Sequence, residues 1–268
     1  MSDLRDLLDE IVDDVDAVCL FSPTGSYYET AIESDLPVIV IAPENDVGAE
    51  TYVELPIDFA DVKERIRFGL EGALNNGHIK EEHVVCCVTS VFDGVDTVTR
   101  VKADAFEHSG AYTLFTGSRA DPSVIRDVFE VAIELGKKGQ KGKQVGALFV
   151  VGDAGKVMNK SRPLSYNPFE KSHVHVGDPI VNVMLKEFTR LDGAFVISDS
   201  GKLVSAYRYL EPSAEGTDIP KGLGARHMAA AGITRETNAV SIALSESDGL
   251  IRAFQGGELI LELDPEAY

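Results

Sequence analysis

The sequence predicts an α/β fold in two parts: an N-terminal α/β domain over residues 1–115, then a second domain over 121–268 with a mixed central β-sheet flanked by helices. Three observations predict it. Apolar runs short enough for buried strands alternate with helix-period segments in the first part, the order that builds βαβ units. Between residues 105 and 120 the periodicity fades, with Gly110 and Gly117 in the gap, before Asp121-Pro122 opens a new helix. The chain closes on three apolar runs, 239–244, 250–254 and 259–263, separated only by the turns Asp248-Gly249 and Gln255-Gly256-Gly257.

In the first part, Leu4, Leu7, Leu8 and Ile11 recur at helical spacing. Residues 17–21 and 37–42 read as buried strands joined by a helix over 25–33, which makes a βαβ unit with a parallel pair. A longer helix over 60–74 and two strands, 83–89 and 96–103, follow. Asp93-Gly94 between those strands reads as a hairpin turn. The loop Ser22-Pro23-Thr24-Gly25-Ser26 would stand at a strand's carboxyl end and a helix's start, where open α/β sheets bind anions, but a plain turn with Thr24 or Ser26 as N-cap is the reading preferred here. With Gly77-His78-Ile79 before the last strand pair, this order resembles the C-terminal domain of pyruvate kinase, which implies a regulatory or structural part.

The second part opens with Asp121 as N-cap and Pro122 at N1 of a helix whose apolar face is Val124, Ile125, Val128, Phe129, Ala132 and Leu135. The lysine-rich run 136–143 ends that helix and reads as a solvated loop, since no Gly-x-x-x-x-Gly-Lys-Ser/Thr pattern is present. Residues 145–151 form a buried strand, with Gly152-Asp153-Ala154-Gly155 as its turn. His173 and His175 alternate along a strand-like stretch, 172–176, without the carboxylate or cysteine that a zinc site needs. Asp178-Pro179 starts a helix with Ile180, Val183, Met184, Phe188 and Leu191 as its apolar positions, leading into Asp192. Strands over 194–198 and 203–207 follow, and an irregular loop over 211–222 leads to another helix.

The balance of 44 acidic against 25 basic residues, a formal charge of −19, repels nucleic-acid backbones and anionic lipid, so neither is an expected partner. The acids are scattered rather than gathered in a tail, which describes a solvated surface suited either to a high-salt cytoplasm or to an ordinary acidic cytosolic protein. Cys19, Cys86 and Cys87 lack metal-ligand spacing and read as core residues of a protein in a reducing compartment. The acidic N-terminus has no signal-peptide order, and no apolar run approaches the ~20 residues of a membrane span, so a cytoplasmic location is expected.

Chemistry concentrates around Gly222-Leu223-Gly224-Ala225-Arg226-His227-Met228-Ala229-Ala230. Two glycines allow close backbone approach, and Arg226 and His227 stand where a helix begins. The helix amides favour negative charge there, and an arginine fork matches phosphate oxygens two at a time. Upstream, Asp192-Gly193-Ala194 sits at the end of a helix and the start of a strand, where a carboxylate can reach a metal.

Asp192-Gly193-Ala194 and Gly224-Ala225-Arg226-His227-Met228-Ala229-Ala230 resemble the two signatures of the diadenylate cyclase domain, Asp-Gly-Ala and Gly-Thr-Arg-His-Arg-Ala-Ala. The resemblance, of the archaeal type, covers residues 191–263 and includes Tyr209-Leu210-Glu211-Pro212 and Ser245-Glu246. It implies condensation of two ATP into cyclic di-AMP with loss of pyrophosphate, and a divalent cofactor, Mn2+ or Mg2+. By the same resemblance Asp192 is a metal ligand that aids hydroxyl deprotonation, with Glu246 as the second metal carboxylate. Gly193 and Ala194 approach the ribose, and Tyr209 and Leu210 the adenine. Gly224, Ala225, Arg226, His227, Met228 and Ser245 surround the phosphates, with Arg226 and His227 on the triphosphate. Two ATP molecules that react with each other imply a face-to-face dimer in a homo-oligomer. Ala225 replaces the family's threonine, Met228 its second arginine, and Ser247 stands where a second glutamate often follows. Those three departures favour the alternative, a nucleotide sensor that has lost turnover; a third reading is a regulatory protein whose N-terminal domain binds a metabolite.

Overall fold

The computed structural model describes residues 15–57, 59, 61–92, 95–104, 110–139, 142–189, 191–211 and 223–268. The fold is α/β, and the chain divides into two compact units, Met1–Tyr112 and Thr113–Tyr268. The expected first helix through Leu4 to Ile11, the tip Asp93-Gly94 and nearly all of the loop before the phosphate motif lie outside the described residues.

The first unit is built on a five-stranded sheet in the order β3-β2-β1-β4-β5, with β1 Ala17–Phe21, β2 Val38–Ala42, β3 Tyr52–Glu54, β4 Val84–Phe92 and β5 Val95–Lys102. β1 is buried along its whole length, as a parallel strand covered on both faces must be. It pairs in parallel with β2 through Val18 and Val38 and with β4 through Cys19 and Cys87, whereas β4 and β5 run antiparallel. Helix α1, Gly25–Ile32, follows Thr24, whose side chain makes no capping bond and instead shares a 3.1 Å hydrogen bond with Ser26. Helix α2, Val62–Asn75, is capped by the Asp61 carboxylate, which accepts from the Lys63 and Glu64 amides. Gly69 and Gly72 let this helix lie close to the sheet: a β-carbon there would come within 2.6 Å of Phe21 and 2.4 Å of Val53. The three cysteines are free and buried, and burial pushes the Cys86 thiol up to about 11.

A short helix α3, Ala111–Thr116, lies in the stretch read as aperiodic, and the units divide within it. The second unit then opens with α4, Pro122–Lys138, whose Asp121 side chain accepts from the Ser123 amide. Its buried face contains the six apolar residues that the spacing predicted, and full burial of side chains such as Phe129 or Leu135 is worth roughly 1.5–3 kcal/mol each. The remaining elements are β6 Ala147–Val151, α5 Ala154–Asn159, β7 Ser161–Pro163, α6 Pro179–Phe188, β8 Ala194–Ile197, β9 Leu203–Leu210, α7 Ala225–Glu236, β10 Val240–Leu244, β11 Ile251–Gln255 and β12 Glu258–Leu263. They form a seven-stranded sheet ordered β12-β11-β10-β6-β8-β9-β7, in which β6 and β8 are parallel and all other neighbours antiparallel. Ala230, Ala231 and Ile233 of α7 pack with Leu148, Val150, Val196, Ala243 and Phe254 on one face of this sheet.

Three expectations need correction. Residues 152–155 are not merely a turn: Asp153, with φ of 46°, leads straight into α5. The stretch 172–176 forms no strand, only one isolated bridge from His175 to Lys202. On α6 the buried residues are Val181 and Leu185, while Ile180 and Val183, assigned to the apolar face by spacing, are 72% and 61% exposed. Among the described residues no helix is long and apolar enough to cross a membrane.

Candidate active site

In the second unit a cleft of about 640 Å³ opens between the start of α7, the β8–β9 edge and the turn after β10. Asp192, Gly193, Ala194, Tyr209, Leu210, Gly224, Ala225, Arg226, His227, Ser245 and Glu246 all line it. Four separate stretches of sequence therefore meet at one place.

Asp192 reaches the cleft because the backbone turns sharply at Gly193. That glycine has φ of 112°, and a β-carbon on it would lie 2.7 Å from the backbone of Tyr207, so only glycine fits. Tyr207 itself has φ of 56° and accompanies a register shift between β8 and β9. Ala194 pairs with Arg208 beyond that bulge, which brings Asp192 and Gly193 in beside Tyr209 and Leu210. Asp192 is exposed, and its carboxylate has no hydrogen-bond or ion-pair partner among the described residues. Tyr209 is 49% exposed, with the Arg162 guanidinium 4.7 Å from its ring centre on one side. An aromatic ring backed in this way presents a face on which a base can stack.

Gly224 is the N-cap of α7 and provides no side-chain cap, so the positive end of a 12-residue helix points into the cleft without an internal acceptor. Arg226, in the first turn, makes no hydrogen bond or ion pair among the described residues. His227 is 5% exposed and lies 6.2 Å from the Phe254 ring, and among the described residues neither of its buried ring nitrogens has a hydrogen-bond partner. Burial, reinforced by Arg252 and Arg226, holds its imidazole below the ordinary histidine range, so it is neutral near pH 7. Met228, expected at the nucleotide, is the one predicted site residue that does not line the cleft. One further residue along a helix is a rotation of about 100°, and Met228 is 40% exposed.

The turn after β10 carries Ser245, Glu246 and Ser247, all of which line the cleft. Glu246 is exposed and, like Asp192, has no partner among the described residues. The rest of the turn is tied down. The Ser245 and Ser247 hydroxyls share a 3.2 Å hydrogen bond, and Arg252 donates to both Asp248 oxygens at 3.2 and 2.8 Å and to Glu262 at 2.6 Å. The Arg252 guanidinium accordingly holds the Asp248 carboxyl well below the usual carboxylate range.

Sequence reading missed Arg208, Leu148, Leu164 and Ala229, which also line the cleft. Arg208 is 9% exposed and donates to the Ser161 hydroxyl and to the Met158 and Ser161 carbonyls, so it stitches the wall together. Its signal was adjacency to Tyr209, and nothing in the sequence separates a buried arginine from a surface one. Among the described residues no three histidine, cysteine or carboxylate side chains cluster as a ready-made metal cage. Two carboxylates without partners among the described residues, beside an uncapped helix end, nevertheless fit a small hard cation, which one or two carboxylates hold together with substrate phosphates.

Comparison with known proteins gives a consistent picture. Residues 1–123 match the family model described as diadenylate cyclase, N-terminal, and residues 134–259 the model described as DisA bacterial checkpoint controller nucleotide-binding. The chain is 68% identical over 269 residues to a diadenylate cyclase of Haloferax volcanii, covering 100% of both. It is 37% identical over 209 residues to a diadenylate cyclase of Methanocaldococcus jannaschii, covering 75% of this chain and 67% of that one. A shorter match, 36% over 88 residues, joins 33% of this chain to 32% of the cyclic di-AMP synthase CdaA of Bacillus subtilis.

Proposed function

Since the chain belongs to the diadenylate cyclase family, of the archaeal type, we propose that this cleft is where it binds ATP and makes cyclic di-AMP. The protein is an enzyme, a nucleotidyltransferase that condenses two ATP into cyclic di-AMP with release of two pyrophosphates. The observation that carries the site is the convergence, on an uncapped helix end, of two carboxylates and a guanidinium that have no partner among the described residues.

In the reaction each ATP 3′-hydroxyl attacks the α-phosphorus of the other nucleotide, and pyrophosphate departs as the new phosphodiester forms. Asp192 and Glu246 would hold the divalent ion that the reaction needs, Mn2+ or Mg2+. That ion, when bound, lowers the hydroxyl pKa and offsets charge on the phosphate. Asp192 also favours loss of the hydroxyl proton by supplying fixed negative charge beside it. Arg226 and the α7 amides receive the triphosphate and stabilise charge that grows on the leaving oxygens. Both ring nitrogens of neutral His227 are buried, so its N–H group can donate to a phosphate oxygen once the side chain turns toward the cleft. Ser245 lies beside the phosphates, while Tyr209 stacks on the adenine with Leu210, Leu148 and Leu164 as apolar walls.

All these residues fall within residues 121–268, which we assign as the cyclase domain, leaving 1–115 a regulatory or structural role. One cleft holds one set of ligands, whereas the product is two-fold symmetric. A second copy facing the first through an isologous interface supplies the second set. Incubation of the full chain with ATP and manganese, followed by mass spectrometry, should yield cyclic di-AMP; ATP binding without product would support the sensor instead. Specific activity should also fall on dilution while ATP bound per subunit stays constant, and a monomer with full activity would refute the paired arrangement.

A further inference from the structure

We infer that Gly146 is a positioning residue for Arg226: its bare α-carbon is the seat on which the Arg226 guanidinium rests when it receives phosphate. The inference rests on the assignment of Arg226 to the triphosphate.

Gly146 is buried and immediately precedes β6, next to the strand residue Leu148 of the cleft wall. A β-carbon built on it would lie 1.8 Å from Nη1 of Arg226, 2.6 Å from Cζ and 3.1 Å from Nη2. The Nη1 end of the fork therefore lies against this one residue. Gly146 has no positive φ, so its backbone does not require glycine, and the space above its α-carbon is the physical reason for one. Arg226 has no protein partner among the described residues to hold it by hydrogen bonds. Its orientation is thus set by packing, and none of its donors is committed to an acceptor among the described residues. A methyl group at 146 would lift the guanidinium off its seat. The substitution removes no hydrogen bond and no charge, and it meets a flexible side chain rather than backbone.

Four forms of the full chain test this: wild type, Gly146→Ala, Arg226→Ala and the double variant, with Kd measured for ATP and for adenosine and melting temperature recorded for each. Gly146→Ala should weaken ATP binding about tenfold, the scale of one charge-assisted fork, and leave adenosine binding unchanged. In the Arg226→Ala background the same methyl group should have no further effect on ATP. A Gly146→Ala loss that persists undiminished in the double variant, or that falls equally on adenosine, overturns the inference, because it would mark a distorted strand. A Gly146→Ala form that binds ATP like wild type, while Arg226→Ala does not, overturns it too and leaves the Arg226 assignment standing. Unchanged ATP binding in Arg226→Ala removes that assignment and this inference together. Should Gly146→Ala fail to fold, the double variant decides: recovery of folding with ATP affinity equal to Arg226→Ala upholds the shared space, and continued misfolding refutes it.

Discussion

Two populations of charge stand in and around the cleft, and partnership separates them. Asp192, Glu246 and Arg226 line it with no partner among the described residues, whereas Arg208 in its wall, and Arg252 and Asp248 next to the turn that carries Glu246, are bonded to the protein. A side chain already bonded to its own chain gains little by turning to a ligand, because it exchanges one partner for another. An unpartnered one is hydrated in the free protein and can transfer all its bonding capacity to phosphate or metal. The free set should therefore govern chemistry and leave stability almost untouched, while the tied set should govern stability and reach chemistry only through geometry.

The hardest test of that division is Asp192→Asn. The amide keeps the volume and removes the charge a divalent ion requires. Cyclic di-AMP synthesis should fall by at least about a hundredfold, the cost of an essential acid–base or metal contact. Melting temperature should be within about a degree of wild type, since the carboxylate has no partner among the described residues to lose. Turnover at the wild-type rate would remove Asp192 from the metal site, and a large drop in melting temperature would place it in the tied set.

Asp248→Ala tests the other population. Losing two charge-assisted bonds from Arg252 should cost about 2 kcal/mol of unfolding free energy in denaturant melts. Activity should fall indirectly, about tenfold, with a higher metal requirement, because the turn that presents Glu246 is no longer anchored. The pH dependence has a definite sign. Arg252 depresses the folded-state pKa of Asp248 below its ordinary 3.8, so the stabilisation is complete above that value and is lost as pH falls through the folded value. Asp248→Asn should flatten the acid limb of the stability profile, and an unchanged limb would show that the pair is too well solvated to matter.

How far all this was legible in the sequence follows the same line between local and long-range causes. Helix starts at Asp121-Pro122 and Asp178-Pro179 are local chemistry, and both caps form where the residues indicate. Strand β1 was legible because an uninterrupted apolar run has few other uses. The missed elements are short: Tyr52–Glu54, Ala111–Thr116, Ala154–Asn159 and Ser161–Pro163 hold too few residues to show a period, and α5 buries only Val157. The likeness to pyruvate kinase rested on turn residues and alternation that open α/β sheets share. In the cleft, the residues with a motif around them were identifiable. Arg208 and Gly146 were not, because each matters through a contact with a distant part of the chain, Ser161 for one and Arg226 for the other.

His227 lies between the two populations, buried like Arg208 and Arg252 yet, among the described residues, unpartnered like the free set. Its folded-state pKa is held below the ordinary 6.5, mainly by burial, so the unfolded chain takes up a proton first as pH falls. Stability should be fully present above pH 6.5 and decline through the acid side of that value. His227→Gln should remove this part of the decline, and the wild-type decline should be shallower with ATP bound, because phosphate supplies the counter-charge that the free protein lacks. A melting profile as steep in the variant as in the wild type would assign the acid sensitivity elsewhere.

The smallest effect is expected at Met228, which the resemblance placed at the phosphates and the fold places outside the cleft lining. At 40% exposure the side chain is neither core nor lip. Met228→Arg restores the family's second arginine but puts a cation in the first turn of α7, against the positive end of the helix, at a cost of about 0.3–1 kcal/mol. An added charge near a highly charged ligand still attracts it through water. ATP affinity should therefore rise only about twofold at low salt, and the gain should vanish above about 0.15 M, where exposed charges are screened over about 8 Å. A direct contact would behave differently, since a guanidinium bonded to phosphate is shielded from salt and worth about tenfold. Titrations of ATP at two salt concentrations distinguish the cases. A large, salt-resistant gain would extend the cleft to residue 228 and move that position from bystander to the free set, with Met228 then a true loss of function in this chain.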